Sequence, residues 1–206
     1  MKKIFILIIF SLLNINLFAQ DFSFPPELKW WIDEIQKVEN NIELKDFKLA
    51  DERILEYEKG KISYKNKLYP VLKKWNYYGN QFGYLDLMCS FMKEKDKYIP
   101  LLDIDSCFAV FDRNENLVFE DFFGSQKGID SFCWLTDKKI VAVGGEYIES
   151  LENELCNYNF IIYVYEMEKE NVKVNEYVYS VKNIDLSKIN RSWFGQRTDY
   201  FDWIQN

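Results

Sequence analysis

The chain has 206 residues, a formal net charge of −7 and no histidine. Its length suits a single domain that buries a real core, and its acidity argues against nucleic-acid binding, which needs clustered Lys and Arg. Because histidine is the commonest general base near neutral pH and the commonest transition-metal ligand, its absence excludes Ser-His-Asp and Cys-His catalysis and His-ligated zinc.

Residues 1–20, MKKIFILIIFSLLNINLFAQ, have the layout of a secretory signal peptide. Lys2 and Lys3 form a basic start, residues 4–13 form an apolar run, and Ala19 offers a cleavage point. The leader also resembles the signal peptides of Gram-negative bacteria whose proteins are rich in Lys, Asn and Ile. We expect export, with the mature chain periplasmic or extracellular.

An uncleaved membrane anchor is the alternative for this leader. A span needs about 20 apolar residues, and Asn14 and Asn16 cut the run short. No second hydrophobic run approaches membrane length, so we expect no membrane span in the mature chain. Residues 21–206 contain no proline-rich linker and are predicted to form a single exported globular domain.

Residues 26–40, PELKWWIDEIQKVEN, predict an N-terminal amphipathic helix. Pro26 suits a first helical turn, and Glu27 suits the positive end of the helix. Five apolar residues fall at helical spacing on one face: Leu28, Trp31, Ile32, Ile35 and Val38. The following segment, 44–58, fits either a second helix or a strand.

From about residue 53 onward, the sequence favours short strands rich in Tyr, Phe, Val and Ile. Polar turns fall at 113–116, at Asp137-Lys138 and at 168–171. This pattern predicts an antiparallel meander. The expected fold is mainly β (α+β), with the meander forming a twisted sheet, a sandwich or a partial propeller-like arrangement beside the N-terminal helix.

The stretch from Asp130 to Met167 has a rhythm similar to one blade of a WD-repeat propeller. An aromatic strand, a polar turn, an apolar strand ending in Gly-Gly and a second aromatic strand follow each other. The Gly-His and Trp-Asp marks of those repeats are missing. A closed propeller also needs more blades than this chain easily supplies.

The stretch DRNENLVFED begins like a calcium loop, because Asp112, Asn114 and Asn116 alternate. An EF-hand loop then requires Gly at position 6 and Glu at position 12, and these positions hold Leu117 and Phe123. Asn and Asp also favour hairpin loops, where they tolerate left-handed backbone angles. We therefore interpret this stretch as a hairpin turn.

Carboxylates are the remaining candidates for chemistry. Asp103 and Asp105 lie on one face of a predicted strand, where they could bind a divalent cation, assist Asp112, or serve a glycosidase together with Glu120. Asp121 lies close by in the sequence. Solvated acids at the start of a strand are the simpler interpretation. We assign no catalytic residue, no metal site and no cofactor.

Aromatic residues cluster in three patches. Trp31 on the predicted helix is expected in the core, and the aromatic tail near Trp193 is expected to dock on the domain. The middle patch, KKWNYYGNQFGY, contains turn residues that place its aromatic side chains near a loop, where they could stack on a ligand. The candidate ligand-binding residues are Trp75, Tyr77, Tyr78, Phe82 and Tyr84.

The chain has four cysteines: Cys89, Cys107, Cys133 and Cys156. No C-x-x-C motif is present, which argues against a zinc site and a thioredoxin-type redox centre. In an oxidising compartment, four cysteines permit two disulfides with three connectivities. Four buried thiols are the alternative.

These patterns favour an exported non-enzymatic binding or interaction protein of the bacterial cell envelope. Its partner would be an envelope protein, a glycan or a basic protein, the last because the chain is acidic. A carboxylate-dependent glycan hydrolase is one alternative, and it requires two carboxyl groups facing one cleft. A structural envelope component is another.

Overall fold

The computed structural model describes residues 24–58, 77–78, 81–87, 90–94, 97–101, 106–112, 116–124, 126–151 and 155–189. For residue 150, and for the described residues between 77 and 107, the description covers the backbone alone. The predicted signal peptide, Asp103, Asp105 and the aromatic tail lie outside these ranges. The described part is mainly β, with antiparallel sheets and one short α-helix.

The helix α1 spans Lys29–Ile35 and follows a 3-10 turn, Pro26–Leu28. It is shorter than the predicted segment 26–40, because the backbone continues as turns and then reverses at Asn41, where φ is 67°. Asn tolerates this left-handed conformation better than most residues do. The buried side chains are Leu28, Trp31 and Ile35, while Ile32 and Val38 are partly buried against the same core.

The strands in chain order are β1 (Lys48–Glu56), β2 (Tyr77–Tyr78), β3 (Gln81–Leu87), β4 (Ser90–Glu94), β5 (Lys97–Leu101), β6 (Ser106–Phe111), β7 (Leu117–Phe123), β8 (Lys127–Thr136), β9 (Lys139–Ser150), β10 (Leu155–Met167) and β11 (Asn171–Asp185). The segment that fitted either a helix or a strand therefore contains β1, after a 3-10 turn at Leu44–Asp46.

The main sheet has five strands in the order β1-β11-β10-β9-β8, and all neighbours are antiparallel. Two of its turns lie where the sequence predicts them. Between β8 and β9, the backbone N–H of Lys138 donates to the Thr136 hydroxyl. Between β10 and β11, the N–H of Glu168 donates to the carbonyl of Asn171 at 2.9 Å.

A second sheet has the order β2-β3-β6-β7, and β4 pairs with β5 in a two-stranded sheet. Strands β6 and β7 are antiparallel neighbours on either side of the predicted 113–116 turn. The N–H of Asp112 donates to the Asn116 carbonyl, and the N–H of Asn116 donates to the Asp112 carboxylate, both at 2.9 Å. The calcium-like stretch thus joins two paired strands.

Two hydrophobic cores form on opposite faces of the main sheet, because alternate residues of a strand point to opposite sides. The helix-side core contains Trp31, Phe47 and Phe160, and the Trp31 and Phe160 rings meet edge to face at 5.8 Å. The second core contains Phe108 and Phe119 of the second sheet together with residues of the main sheet. Phe108 lies 5.1 Å from Tyr165 between ring centroids.

Glycines on β9 allow the backbone to pack closely. A Cβ atom at Gly144 would lie 2.0 Å from the carbonyl oxygen of Gly128, which is far inside van der Waals contact. At Gly145 it would lie 2.3 Å from the Tyr158 hydroxyl oxygen. The Gly-Gly pair lies within β9 and not at its end, as the sequence predicted, and it is required there for close packing.

Among the described residues, no helix is long and apolar enough to cross a membrane.

Candidate functional site

A cluster of charged side chains lies at the edge of the second core. It joins Arg53 of β1, Asp121 of β7, Lys127 of β8, Glu176 of β11 and Tyr165 of β10, and is called the ion network below. Asp121 and Glu176 are buried, with 2% and 3% exposure, respectively. Buried carboxylates are costly unless they are paired and hydrogen-bonded, and both of these carboxylates have such partners.

Asp121 is bound on both carboxylate oxygens. Arg53 Nη1 donates to Oδ1, and Arg53 Nη2 donates to Oδ2 at 2.6 Å. The Tyr165 hydroxyl also donates to Oδ2 at 2.6 Å. A bidentate guanidinium–carboxylate pair of this kind adds directional precision to the charge attraction, so it fixes β1 against β7.

Glu176 bridges the two cations of the network. Arg53 Nε donates to Oε1 at 3.1 Å, and Lys127 Nζ donates to Oε2 at 2.6 Å. The two carboxylates and the two cations therefore balance in formal charge. Lys127 Nζ also lies 5.7 Å from the ring centroid of Tyr163.

The network shifts the pKa of its members in directions that keep this charge pattern. Burial by itself would lower the pKa of Arg53, but its hydrogen bonds and attraction to Asp121 outweigh burial and raise it. Burial raises the pKa of Tyr165 well above its ordinary value, and the neighbouring Asp121 charge adds to this. Burial, then Glu176 and Asp121, raise the pKa of Tyr163. Both tyrosines therefore stay neutral and Arg53 stays charged near neutral pH.

Strand alternation explains how these side chains converge. On β7 the residues alternate between buried and less buried, so Asp121 points inward together with Phe119 and Phe123. On β1 and β11 the register places Arg53 beside Val174 and Asp51 beside Glu176, so Arg53 and Glu176 lie on the same sheet face.

The sequence analysis considered Glu120 as a catalytic carboxylate and mentioned Asp121 only as its neighbour. Glu120 and Asp121 are consecutive on β7 and therefore point to opposite sides of the strand. They do not form a pair facing one cleft. Asp103 and Asp105, the other candidates, lie outside the described residues.

The candidate ligand-binding aromatics fall on two paired strands. Tyr77 and Tyr78 form β2, Phe82 and Tyr84 lie on β3, and Tyr77 is opposite Phe82. Their role in ligand binding near a loop stays a prediction. Trp75 and the side chains of the other four lie outside the description.

Calcium binding was the alternative interpretation of Asp112, but its carboxylate already accepts hydrogen bonds within the chain. Asn116 donates to both Asp112 carboxylate oxygens, through its N–H and Nδ2 to Oδ1 and through Nδ2 to Oδ2 at 2.9 Å. In the described part of the chain, no three Cys, Asp or Glu residues are placed to hold a metal ion. The carboxylate serves the hairpin turn.

Two of the four cysteines are described with their side chains, and both are buried thiols. Cys133 Sγ donates to the Trp134 carbonyl at 3.5 Å, and Cys156 Sγ donates to the Ile184 carbonyl at 3.6 Å. Their partners on β9, Val141 and Ser150, are about nine positions apart, or about 30 Å along a strand. A disulfide needs Cα atoms within about 7 Å, so this fold excludes a Cys133–Cys156 bridge. Cys89 and the Cys107 side chain lie outside the description.

Several large apolar side chains are exposed on the strands. Ile54 is 66% exposed, Phe122 is 56% and Ile148 is 52%. Leu49 and Tyr147 are also exposed. Ile54 and Phe122 directly follow Arg53 and Asp121, so they project away from the ion network on strands that this network holds together.

Neither the ion network nor these exposed residues were predicted from the sequence. The inward position of Asp121 could have been identified from the sequence, because an acid at an inward-facing position of LVFEDFF must find a cation.

Comparisons with protein-family models, with curated proteins and with solved structures find no match for the chain.

Proposed function

We propose that the chain is an exported, non-enzymatic binding or interaction protein of the bacterial cell envelope. The observation that carries this proposal is the exposure of Ile54 and Phe122 on strands held together by the Arg53–Asp121 pair. Apolar side chains held rigidly in solvent provide contact area with little loss of conformational entropy on binding.

The ion network argues for binding over chemistry in the described region. A carboxylate enzyme of the glycosidase type needs one acid that can release a proton and a second carboxylate close by in the same cleft. Asp121 and Glu176 are both buried and engaged by Arg53, and Glu176 also by Lys127. Their arrangement supports a structural role, which leaves the surface as the functional part.

We also infer that the main sheet and the second sheet pack face to face as a sandwich. The second core supports this, because it combines Phe108 and Phe119 with Tyr163 and Tyr165 of β10. Aromatic contacts of this kind fill the space between two sheets.

Binding is tested by capture from an envelope extract on the immobilised chain. The proposal requires a partner that saturates and competes with soluble chain, and capture should fall when Ile54 or Phe122 is replaced by lysine. Gln126→Lys, at an exposed polar position, is the matched control and should leave capture unchanged. Capture that never saturates, or that is unchanged by both substitutions, would overturn the proposal.

Export is tested separately by cell fractionation and N-terminal sequencing. The proposal requires the chain outside the cytoplasm, starting after the apolar leader. A cytoplasmic chain that retains Met1 would contradict export, whatever the binding experiment shows.

A structural envelope component is the second candidate, favoured by the same exposed apolar residues. Such a component would be extracted together with its neighbour in stable stoichiometry. An exchangeable partner, bound and released during fractionation, supports the binding role instead.

A further inference from the structure

We infer that the outer edge of β1 takes up an extended, basic segment of a partner protein by strand addition, an inference that rests on the proposed binding role. Strand β1 ends the main sheet, and among the described strands it pairs with β11 alone. Seven of its nine residues are exposed. The edge of a sheet carries backbone N–H and C=O groups that an added strand can pair with.

The strand is held in place before any partner arrives. Arg53 ties its middle to Asp121, and beyond its end the N–H of Glu58 donates to the Val118 carbonyl on β7 at 2.9 Å. A fixed edge gives strand addition a smaller entropic cost than a mobile one would.

The exposed face of β1 has a definite chemistry. The register places Leu49, Glu52 and Ile54 on one face of the sheet, opposite Tyr177, Asn175 and Lys173 of β11, respectively. Leu49 is 43% exposed and Ile54 is 66% exposed. On this face, a strand added beside β1 would lie opposite apolar and acidic side chains in turn. Cross-strand pairing favours apolar residues opposite the apolar side chains and a basic residue opposite the acid.

The charges along β1 select a basic partner over a second copy of this chain. Asp51 and Glu52 are exposed acids near the middle of the strand, whereas Arg53 is turned inward to the ion network, so Lys48 alone adds an exposed cation on this strand. Two such edges would repel each other, and the irregular register between Leu49 and Asp51 further opposes pairing of identical strands.

Glu52 already pairs with Lys173 at 2.9 Å, but the Glu52 side chain is 52% exposed and that of Lys173 is 36% exposed. An exposed ion pair contributes little free energy, so a base from the partner can replace Lys173 at small cost.

The probe is a nine-residue peptide, VTKTVTKTV, in which every second position places valine and lysine in turn on one face of the extended chain. It is titrated against the purified chain and followed by fluorescence anisotropy and by backbone amide NMR shifts. We expect saturable binding that weakens with added salt and shifts the amides of β1. The same peptide, N-methylated at alternate residues, keeps its charges and side chains but loses backbone pairing, and it should bind at least about tenfold more weakly.

Ile54→Lys should weaken binding of the unmodified peptide by a similar factor, since it adds a cation and removes the apolar contact. Ile148→Lys is the matched control, because Ile148 is also an exposed isoleucine but lies on β9, inside the sheet order. It makes the same change in net charge and should leave binding nearly unchanged.

Equal binding of the N-methylated peptide, or equal loss in Ile54→Lys and Ile148→Lys, would overturn the inference in favour of plain charge attraction. Sedimentation that shows a dimer dissociated by Ile54→Lys would overturn it in favour of a second copy. If the peptide fails while saturable capture from the envelope extract persists, β1 is not the binding surface and the proposed function still stands.

Discussion

Arg53 on β1 and Asp121 on β7 form a bidentate ion pair across 68 residues of chain. The pair links the edge strand of the main sheet to a strand of the second sheet, and Tyr165 and Glu176 complete its hydrogen bonding. A non-local contact of this kind connects strands of the two sheets that lie far apart in the sequence.

Replacing Arg53 by methionine should lower the free energy of unfolding by about 3 kcal/mol. Removing one partner of a buried ion pair typically costs about 3–5 kcal/mol, because it leaves an uncompensated charge, and the 27% exposure of Arg53 favours the lower end. Urea denaturation followed by circular dichroism measures the change.

Lys29→Met is the control for this prediction, because the Lys29–Asp33 pair is exposed on both sides. It should change stability by less than about 0.5 kcal/mol. Equal effects of the two substitutions would mean that the ion network contributes no more than a surface pair. The double variant Arg53→Met/Asp121→Leu should recover part of the loss, since it removes both charges.

Tyr165→Phe should destabilise the fold by about 1–3 kcal/mol, because it removes a buried donor to Asp121 and leaves part of that carboxylate unsatisfied. Tyr163→Phe is the matched comparison. Within the described part of the structure, the Tyr163 hydroxyl has no hydrogen-bond partner, so its loss should cost less. The prediction fails if Tyr163→Phe is the more damaging of the two.

Stability should fall as pH rises above about 10. Burial and then the Asp121 charge raise the pKa of Tyr165 above its ordinary value, whereas an unfolded tyrosine ionises near pH 10. Above that pH the unfolded chain holds fewer protons than the folded chain, so deprotonation favours unfolding.

The measurement for this pH dependence is the urea midpoint between pH 8 and pH 11 in wild type and Tyr165→Phe. Lysines also titrate in this range, so the difference between the two slopes isolates Tyr165. We expect a shallower fall in the variant, and identical slopes would contradict the raised pKa.

The local parts of this fold were predictable from the sequence, and the non-local parts were not. The turns at 137–138 and 168–171, and the pairing of β6 with β7, follow from polar residues between alternating strands. The placement of β1 beside β11 depends on pairing across more than a hundred residues, for which turn chemistry gives no signal. The sequence therefore does not predict the partner of Asp121, although the alternation along β7 does predict that this side chain points inward.

Gly144→Ala should destabilise the fold by at least about 1–3 kcal/mol, the usual cost of overpacking. The added Cβ would lie 2.0 Å from the Gly128 carbonyl oxygen, and backbone on both sides must move to relieve this. Gly124→Ala is the control, since a Cβ there meets nothing within 4 Å. Thermal unfolding of both variants tests the prediction, and equal melting temperatures would refute the close approach of β8 and β9.

Cys133 should react very slowly with iodoacetamide in the folded chain. Burial, and after it the negative charge of nearby Glu27, raise the pKa of this thiol to about 11, and the thiolate is the reactive form. At pH 8 only about one thiol in a thousand would be ionised, against roughly a quarter for an ordinary cysteine.

The rate is measured by mass spectrometry of the peptide that contains Cys133. Glu27→Gln removes the nearby charge and should speed alkylation, while the remaining burial keeps the rate below that of the urea-unfolded chain. Asp33→Asn, which removes an exposed acid from α1 that is not among the causes of the Cys133 shift, is the matched control and should leave the rate unchanged. A native rate equal to the unfolded one would show that Cys133 is not held in the helix-side core.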